Sequence, residues 1–315
     1  MSKNVILNGT THIGISDATL PVVGGTEAIF RDVDEIPVVS LQEKTATVNG
    51  EVLPDEGYDG LSRVTVNVEG GSGEDWLEAN AVIVPALKAG ANNGDLPENL
   101  TLNMPLAGFN PNVIIIACGT TAAQGAWFSS GCKNLTLNVK TATLAKLFLV
   151  DKSIETVTVN ASDGKFALYR GCFFGCPNLT TINGTITGLD NAGVGGSGTT
   201  NDTFYGCASL ANVTFAPNII NFNTKLNTGA VNGVYPTDNF TNETLVSLAN
   251  ALMNVPESSL TLTLSTTAKA KLAGIMGDVS QVTDGDTSYD LFTANEAGST
   301  SLESFITTTK GWTLG

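Results

Sequence analysis

Three short stretches decide the fold of this chain: Phe128–Leu135 (FSSGCKNL), Phe174–Leu179 (FGCPNL) and Phe204–Leu210 (FYGCASL). Each contains an aromatic residue, then Gly-Cys, then a leucine three residues after the cysteine. An alternating apolar and polar pattern follows each leucine, which is typical of a half-buried strand. The recurrence predicts a repeated unit made of one strand and one return turn.

A fourth unit without Gly-Cys fits between the first two, over Phe148–Val159, and an earlier irregular unit begins at Leu100. The spacing between successive aligned positions is 19, 25 and 31 residues, which brackets the roughly 20–29 residues of leucine-rich repeats. One such unit cannot bury its apolar face alone, so stacked copies predict an irregular solenoid. The residues that define the repeat are Phe128, Cys132, Leu135, Ile154, Phe174, Cys176, Leu179, Phe204, Cys207 and Leu210.

The composition independently favours a turn-rich, mainly β protein with short helices. The 315 residues include 40 Thr, 29 Asn and 34 Gly, while charged residues make up only 14%. Thr favours pleated surfaces, and Gly and Asn favour turns. The formal charge of −15 makes nucleic acid and anionic lipid improbable partners.

The N-terminal part of the chain divides into three predicted segments. Residues 1–40 form a β arm, because Asn8-Gly9 between β-forming residues is a strong hairpin signal. Residues 41–70 form a small β module with strands at Thr45–Val48 and Val64–Val68, and residues 71–75 are a Gly/Ser linker. The N-terminal sequence has no apolar core of signal-peptide length, so we expect no export by that route.

Residues 76–240 are the predicted leucine-rich-repeat domain, and residues 241–315 a predicted α/β cap. In the cap, leucines at helical spacing predict a helix that begins at Thr241 or Asn242. The other predicted cap elements are a strand over Leu260–Leu264, helices over Thr267–Met276 and Ser301–Lys310, and a strand over Gly311–Leu314.

Two long polar insertions, residues 187–203 and 221–241, are expected to be functional surfaces or locally ordered excursions. The aromatic residues near them, Trp127, Tyr205, Tyr235 and Phe240, are candidates for stacking on sugar rings. The alternative is that these side chains belong to the core of the array.

Catalytic chemistry is hard to find in the sequence. His12 is the only histidine and lies in the predicted hairpin, so no Ser-His-Asp site is expected. The five cysteines lack the partners of a zinc site and are expected to be buried thiols. If strands stack at about 4.8 Å, Cys176 and Cys207 come within disulfide range, although we expect both to be reduced.

One acidic stretch places oxygen atoms at alternate positions, as calcium loops do: Asp284, Asp286, Ser288 and Asp290. The sixth position is Tyr289 rather than glycine, and the twelfth is Asn295 rather than glutamate. A solvated acidic turn is therefore the alternative interpretation. We expect no cofactor, no resident metal and no enzymatic activity.

Several of these motifs together resemble a known group of proteins. The Phe-x-Gly-Cys-x-x-Leu units resemble BspA-type leucine-rich repeats. The ending, from the helix near Glu243 to Lys310–Leu314 (KGWTL), is similar to that of such proteins encoded by phages and prophages of Gram-positive bacteria. Residues 44–48 and 54–68 are similar to a small β module recurrent in phage tail and fibre proteins.

The resemblance implies a non-enzymatic virion structural protein displayed on the particle surface. Its expected roles are capsid decoration or head fibre, with residues 1–70 as the anchor and the repeats projecting outward. The implied partners are capsid or tail proteins and further copies of the chain, with a homotrimer favoured. The alternative is a tail or baseplate adhesin that binds host or mucosal glycans through the repeat domain.

Overall fold

The computed structural model describes residues 4–7, 11–14, 27–31, 38–43, 63–69, 98–109, 131–145, 151–169, 171–189, 203–255 and 260–315. Within them the protein is mainly β with short helices, as the sequence predicts. The chain forms two compact units, residues 1–165 and 166–315. The boundary between these units lies inside the predicted repeat domain, and the predicted domain limits at residues 40, 70, 75 and 240 stay predictions.

The first unit is a sheet whose strands follow the order β2-β1-β3-β4-β5-β6-β7-β8. The pairs from β1 to β5 are antiparallel, whereas β5, β6 and β7 are parallel. The strands are β1 (Asn4–Leu7), β2 (Thr11–Gly14), β3 (Glu27–Arg31), β4 (Val38–Glu43), β5 (Arg63–Glu69), β6 (Asn99–Phe109), β7 (Asn134–Ala145) and β8 (Thr156–Tyr169).

The predicted N-terminal hairpin and the strand over Val64–Val68 are confirmed as β1–β2 and β5. Strand β5 pairs with β4 on one side and with β6 on the other. The predicted strand Thr45–Val48 and the linker at 71–75 lie outside the described residues.

Strands β6 and β7 carry the same five residues, NLTLN, 35 positions apart, and pair in register with identical residues opposite each other. Leu100 and Leu102 are buried on one face, together with Leu135 and Leu137 of β7. On the other face Asn134 donates from Nδ2 to Asn99 Oδ1 over 2.9 Å. This alternation places an apolar ladder and an amide ladder on opposite faces of the same strands.

The amide ladder continues into β8. Asn138 donates from Nδ2 to Asn103 Oδ1 over 2.6 Å, and Asn160 donates to Asn138 Oδ1 over 2.7 Å. Stacked amides pair the donor of one residue with the acceptor of the next, so each asparagine on the polar face gains a partner from its neighbouring strand.

A repeated backbone pattern fixes the register of these strands. The N–H groups of Lys133 and Asn134 both donate to Glu98 O, and those of Glu155 and Thr156 both donate to Lys133 O. The same arrangement therefore recurs from β6 to β7 and from β7 to β8, which makes Leu100, Leu135 and Val157 equivalent. The alignment of Ile154 with Leu135 is therefore wrong by three residues: buried Ile154 lies three residues before Val157, as buried Cys132 lies three residues before Leu135.

The second unit begins with the last residues of β8, which pair in parallel with β10 (Gly188–Leu189). Strands β9 (Thr181–Ile186) and β11 (Asn212–Phe215) are also parallel, with Ile182 opposite Val213. A turn of one shape precedes both strands. In this turn the N–H of Cys176 donates to Phe173 O and that of Cys207 donates to Phe204 O.

This turn corrects the predicted strand starts. Leu179 and Leu210 are fully buried, but their N–H groups donate to Cys176 O and Cys207 O, so they belong to the turn. Strands β9 and β11 accordingly begin two residues after their leucines. Only Leu135, within β7, lies in a strand as expected.

The aromatic residue of the repeat also needs correction. Phe173 is buried and takes the place that Phe204 occupies in the next turn, as the matching hydrogen bonds show. Phe174, assigned to that role from the sequence, corresponds instead to Tyr205 and is only partly buried. Phe128 lies outside the described residues.

The rest of the second unit contains helices and two small sheets. Helix α1 (Asn242–Ala251) has Thr241 as its N-cap, which decides between the two predicted caps. The parallel sheet β12-β13-β17 includes the predicted strands near 260 and 311, and the other sheet has the order β15-β14-β16. Bounds are β12 (Thr224–Lys225), β13 (Thr261–Thr263), α2 (Thr266–Leu272), β14 (Met276–Asp284), β15 (Thr287–Ala294), β16 (Thr300–Ser301), α3 (Leu302–Ser304) and β17 (Thr313–Leu314).

Two predicted helices differ from the structure: one ends earlier, and the other becomes a π-helical turn after three residues. Helix α2 ends at Leu272, because Met276 already belongs to β14. The predicted helix over 301–310 is α3 followed by a π-helical turn over Phe305–Thr309. The segment 277–300, which had no assigned structure, forms most of the β14–β15 hairpin.

Helix α1 covers the outer edge of β11 with two hydroxyl groups one turn apart. Thr244 Oγ1 accepts from Val213 N over 3.0 Å and donates to Ala211 O over 2.8 Å. Ser247 Oγ accepts from Phe215 N over 2.7 Å and donates to Phe215 O over 3.2 Å. The hydroxyls thus replace the next strand, and the edge groups of β11 are satisfied by a helix.

We expect Thr244→Val and Ser247→Ala each to lower the free energy of unfolding by roughly 1–3 kcal/mol, because each leaves a strand N–H without its acceptor. Chemical denaturation of the full chain measures the effect. The control is Ser280→Ala, at an exposed hydroxyl of β14, which should stay within about 0.5 kcal/mol of the parent. Equal effects in all three variants would refute the edge-covering role.

Candidate functional site

The stacked turns of the second unit hold one of the aromatic candidates. The rings of Phe174 and Tyr205 stack with centroids 4.6 Å apart and planes 5° apart. Gly175 N donates to Tyr205 O over 2.7 Å, which locks the two turns together. Gly229, with φ +70°, also lies against the Tyr205 ring, since a Cβ there would come within 2.7 Å of ring carbons. Tyr205 is therefore part of a stack and is not a free platform for a sugar.

The other aromatic candidates differ in how far their side chains are exposed. Phe240 is only 1% exposed, so its assignment as a ligand-surface residue is wrong and the core alternative is correct. Its carbonyl accepts from Lys271 Nζ over 2.9 Å, which ties helix α2 to this turn. Tyr235 is 38% exposed and lies in a turn closed by a 2.7 Å bond from its N–H to Asp238 Oδ2. Trp127 lies outside the described residues.

The insertion 221–241 is a locally ordered excursion, one of the two forms expected. It contains β12 and a tight turn in which Val231 and Val234 exchange both backbone hydrogen bonds. The central residues of that turn, Asn232 and Gly233, both have positive φ, as a type I′ turn requires. Residues 190–202 of the other insertion lie outside the described part.

The cysteines are structural thiols. Cys132, Cys172, Cys176 and Cys207 are buried, and none of these four is in a disulfide, while Cys118 lies outside the described residues. Cys207 Sγ donates to Phe173 O over 3.0 Å. Burial raises the pKa of the Cys207 thiol to about 12, and burial likewise raises the pKa of Cys132 to about 12, with the Asp151 carboxylate adding to the effect. Such thiols remain protonated and are poor nucleophiles at neutral pH.

The acidic stretch proposed as a calcium loop forms the tip of the β14–β15 hairpin. Asp284 pairs with Thr287 across a two-residue turn, in which Gly285 has φ +58°. Asp290 lies opposite Gln281, three residue pairs further along the ladder, and accepts from Asn254 Nδ2. Ser288 is engaged with the hydroxyl of Thr283 at 3.0 Å. This geometry spreads the four candidates along two strands, and the solvated-turn alternative describes Asp284 and Asp286.

The structure also bears on the single histidine, on metal binding and on membrane-spanning helices. His12 lies in β2, opposite Ile6 of β1. Among the residues that the structure describes, no group of three or more His, Cys, Asp or Glu could hold a metal ion. No helix in the same part of the chain is both long and apolar enough to cross a membrane.

A groove of about 340 Å³ lies between α1, the end of β11 and strand β15. Its walls include Phe215, Pro217, Val246 and Leu291, with Glu243 as a charged group. Sequence reasoning missed this groove because the hairpin that supplies Leu291 was not predicted. Its walls can accept a small apolar group.

A second feature missed from the sequence is a cluster of buried Lys310 with half-buried Asn254 and Asp290. Lys310 is 0% exposed, and its Nζ lies 5.3 Å from the ring centroid of Phe305 and 5.9 Å from that of Tyr289. Burial lowers the pKa of this amine to about 8, and the Asp290 carboxylate opposes that shift. The sequence had shown Lys310 only as a basic residue at the end of a helix.

Comparisons with protein-family models, with curated proteins and with solved structures gave no significant match.

The Cys207 thiol gives a pH-dependent prediction. Its pKa is raised in the folded protein above the ordinary 9.0, so its contribution to stability is fully present below pH 9 and is lost as pH rises toward 12. We expect the stability difference between the parent chain and Cys207→Ala to shrink over this range, as measured by urea unfolding at a series of pH values. A difference that stays constant from pH 8 to 11 would contradict the buried, protonated thiol.

Proposed function

We propose that this chain is a non-enzymatic phage structural protein displayed on the virion surface, most simply as a capsid decoration or head fibre. In this proposal, residues 1–70 anchor the protein to the particle and the remaining residues project from it. The protein would be assembled in the host cytoplasm and released by lysis, and a closed ring of copies, with a trimer favoured, is the default assembly.

We further propose that the parallel strands of each unit are successive turns of an irregular leucine-rich repeat. In the first unit the support is the matched NLTLN pair and the backbone bonds that recur from β6 to β7 and from β7 to β8. In the second unit it is the repeated turn before β9 and β11. Arrays in which each repeat contacts its neighbours tolerate irregular lengths, because insertions can leave through the return loops.

The observation that carries the display proposal is that helix α1 covers the free edge of the last parallel strand, β11. A parallel strand with a free edge is a template for pairing with another chain. Here the hydroxyls of Thr244 and Ser247 occupy the edge of β11, so further strand addition at this edge is blocked. A displayed protein at high local density needs such protection, while its attachment has to come from another part of the chain.

The polar chemistry of the second unit supports a structural role. Asn250 exchanges two hydrogen bonds with the backbone of Phe292, at 2.7 and 2.9 Å, and so holds α1 to β15. Lys271 Nζ donates to the carbonyls of Asp238 and Phe240. These buried or half-buried groups are used in backbone contacts, where their purpose is to position elements.

Fractionation of a phage lysate tests the proposal. Antibody raised against the full chain should detect the protein in purified particles after density-gradient sedimentation, and immunogold electron microscopy should place it on their surface. The control is the same gradient run with lysate from a phage that lacks the gene.

Other outcomes would contradict the proposal. Gold label confined to the tail or baseplate, together with binding of the protein to washed host cells, would favour the adhesin alternative, for which Tyr235 is the exposed aromatic candidate among the described residues. Protein found in neither particles nor cell pellets would overturn both assignments.

A further inference from the structure

The Lys310 side chain is held where an ammonium group is poorly tolerated. It is fully buried between aromatic rings, and among the described residues its Nζ has no hydrogen-bond partner. An ammonium ion in such surroundings carries a large desolvation cost, which favours the neutral amine. A neutral lysine amine is a nucleophile. The position calls for a chemical explanation, because a structural lysine normally pairs its charge.

An electrophile and a proton carrier lie in the same cluster. Asn254 donates from Nδ2 to Asp290 Oδ2 over 2.6 Å, while its Oδ1 is buried and has no partner among the described residues. Asp290 follows Tyr289, whose ring lies beneath the Lys310 amine, and its charge acts on that amine. The cluster therefore combines a buried amine with a carboxamide and a carboxylate from two half-buried residues, and the carboxamide oxygen is itself buried.

The backbone brings Lys310 and Asn254 side by side. Val255 N donates to Lys310 O over 2.9 Å, and Trp312 Nε1 donates to Met253 O over 2.8 Å. Lys310 itself closes the π-helical turn, with its N–H donating to Phe305 O over 2.8 Å. Single π-helical turns are rare and are frequent at functional positions. This turn sets where the lysine side chain leaves the backbone.

We propose that Lys310 Nζ and Asn254 Cγ are joined by an intramolecular isopeptide bond, with Asp290 as the proton carrier. The inference concerns the chemistry of this cluster and stands apart from the proposed virion role.

The reaction balances without any added reagent. The neutral amine attacks Asn254 Cγ, forming the Nζ–Cγ bond, and the C–N bond to Nδ2 breaks. Asp290 accepts the proton that Nζ loses and delivers it to Nδ2, to which it is already hydrogen-bonded, so that ammonia leaves. No group is oxidised or reduced. The product amide is neutral, which removes the cost of a buried ammonium.

The bond would link two segments that are distant in the sequence, one just after the end of α1 and the other just before β17. Such a covalent link closes a long loop and reduces the freedom of the unfolded chain, as a disulfide does. It would do so without thiol chemistry.

Intact-mass spectrometry of the full chain tests the proposal. The expected mass is about 17 Da below that of the sequence, because one ammonia is lost when the lysine amine displaces the amide. Tryptic digestion gives a second readout, since trypsin cannot cleave after an amidated lysine. The peptide Gly311–Gly315 should be absent, and a branched peptide should join Leu226–Lys269 to Leu272–Gly315.

Three variants separate this bond from other ammonia losses, such as succinimides at Asn-Gly sequences. Lys310→Met and Asp290→Asn should both have their full sequence masses. Lys271→Arg alters another half-buried lysine of the same unit, whose Nζ donates to backbone carbonyls, and should keep the loss. The parent chain decides the question alone if a variant fails to fold.

A parent chain with its full sequence mass and a released Gly311–Gly315 peptide would overturn the proposal. A mass loss that persists in Lys310→Met would overturn it as well, because the ammonia would then come from another site. Neither result would bear on the location of the protein in a phage lysate, so the two proposals can fail separately.

Discussion

The structure depends on one constraint: every backbone N–H and C=O along a strand needs a partner, and inside a sheet that partner is the next strand. In the first unit the constraint is met by in-register pairing, where Asn134 and Leu135 of β7 lie opposite the same residue types of β6. In the second unit it is met at the last strand by hydroxyls from α1. The edge of β11 ends in helix hydroxyls that occupy the place of a further strand.

This constraint also explains the use of polar residues in a chain with few charges. Asparagines on one face of the first unit bond to the asparagines of neighbouring strands, so their amide groups satisfy one another on this polar face. In the second unit, threonine, serine and asparagine side chains bond to backbone groups that have no partner on a neighbouring strand.

Part of this fold could be predicted from the sequence and part could not, for physical reasons. The alternation in NLTLN and the cap at Thr241 are local signals, and both strands and helix formed as predicted. The predicted strand starts at Leu179 and Leu210 are two residues too early. The N–H groups of both leucines close turns, and the apolar spacing of these turns is the same as that of a strand. The sequence left two interpretations of the stretch from Asp284 to Asp290, a calcium loop and a solvated turn, and the structure places a tight turn at Asp284-Gly285. The Lys310 cluster depends on contacts between distant segments, which no local pattern encodes.

Hydrogen exchange at the edge of β11 tests the central claim most directly. If α1 hydroxyls complete this edge, the amides of Val213 and Phe215 exchange as slowly as that of Asn212, which donates to Thr180 O on the inner side. Residue-level exchange measured by NMR on the full chain gives all three rates together. Exchange of Val213 and Phe215 at the rate of an unprotected peptide, with Asn212 still slow, would contradict the account.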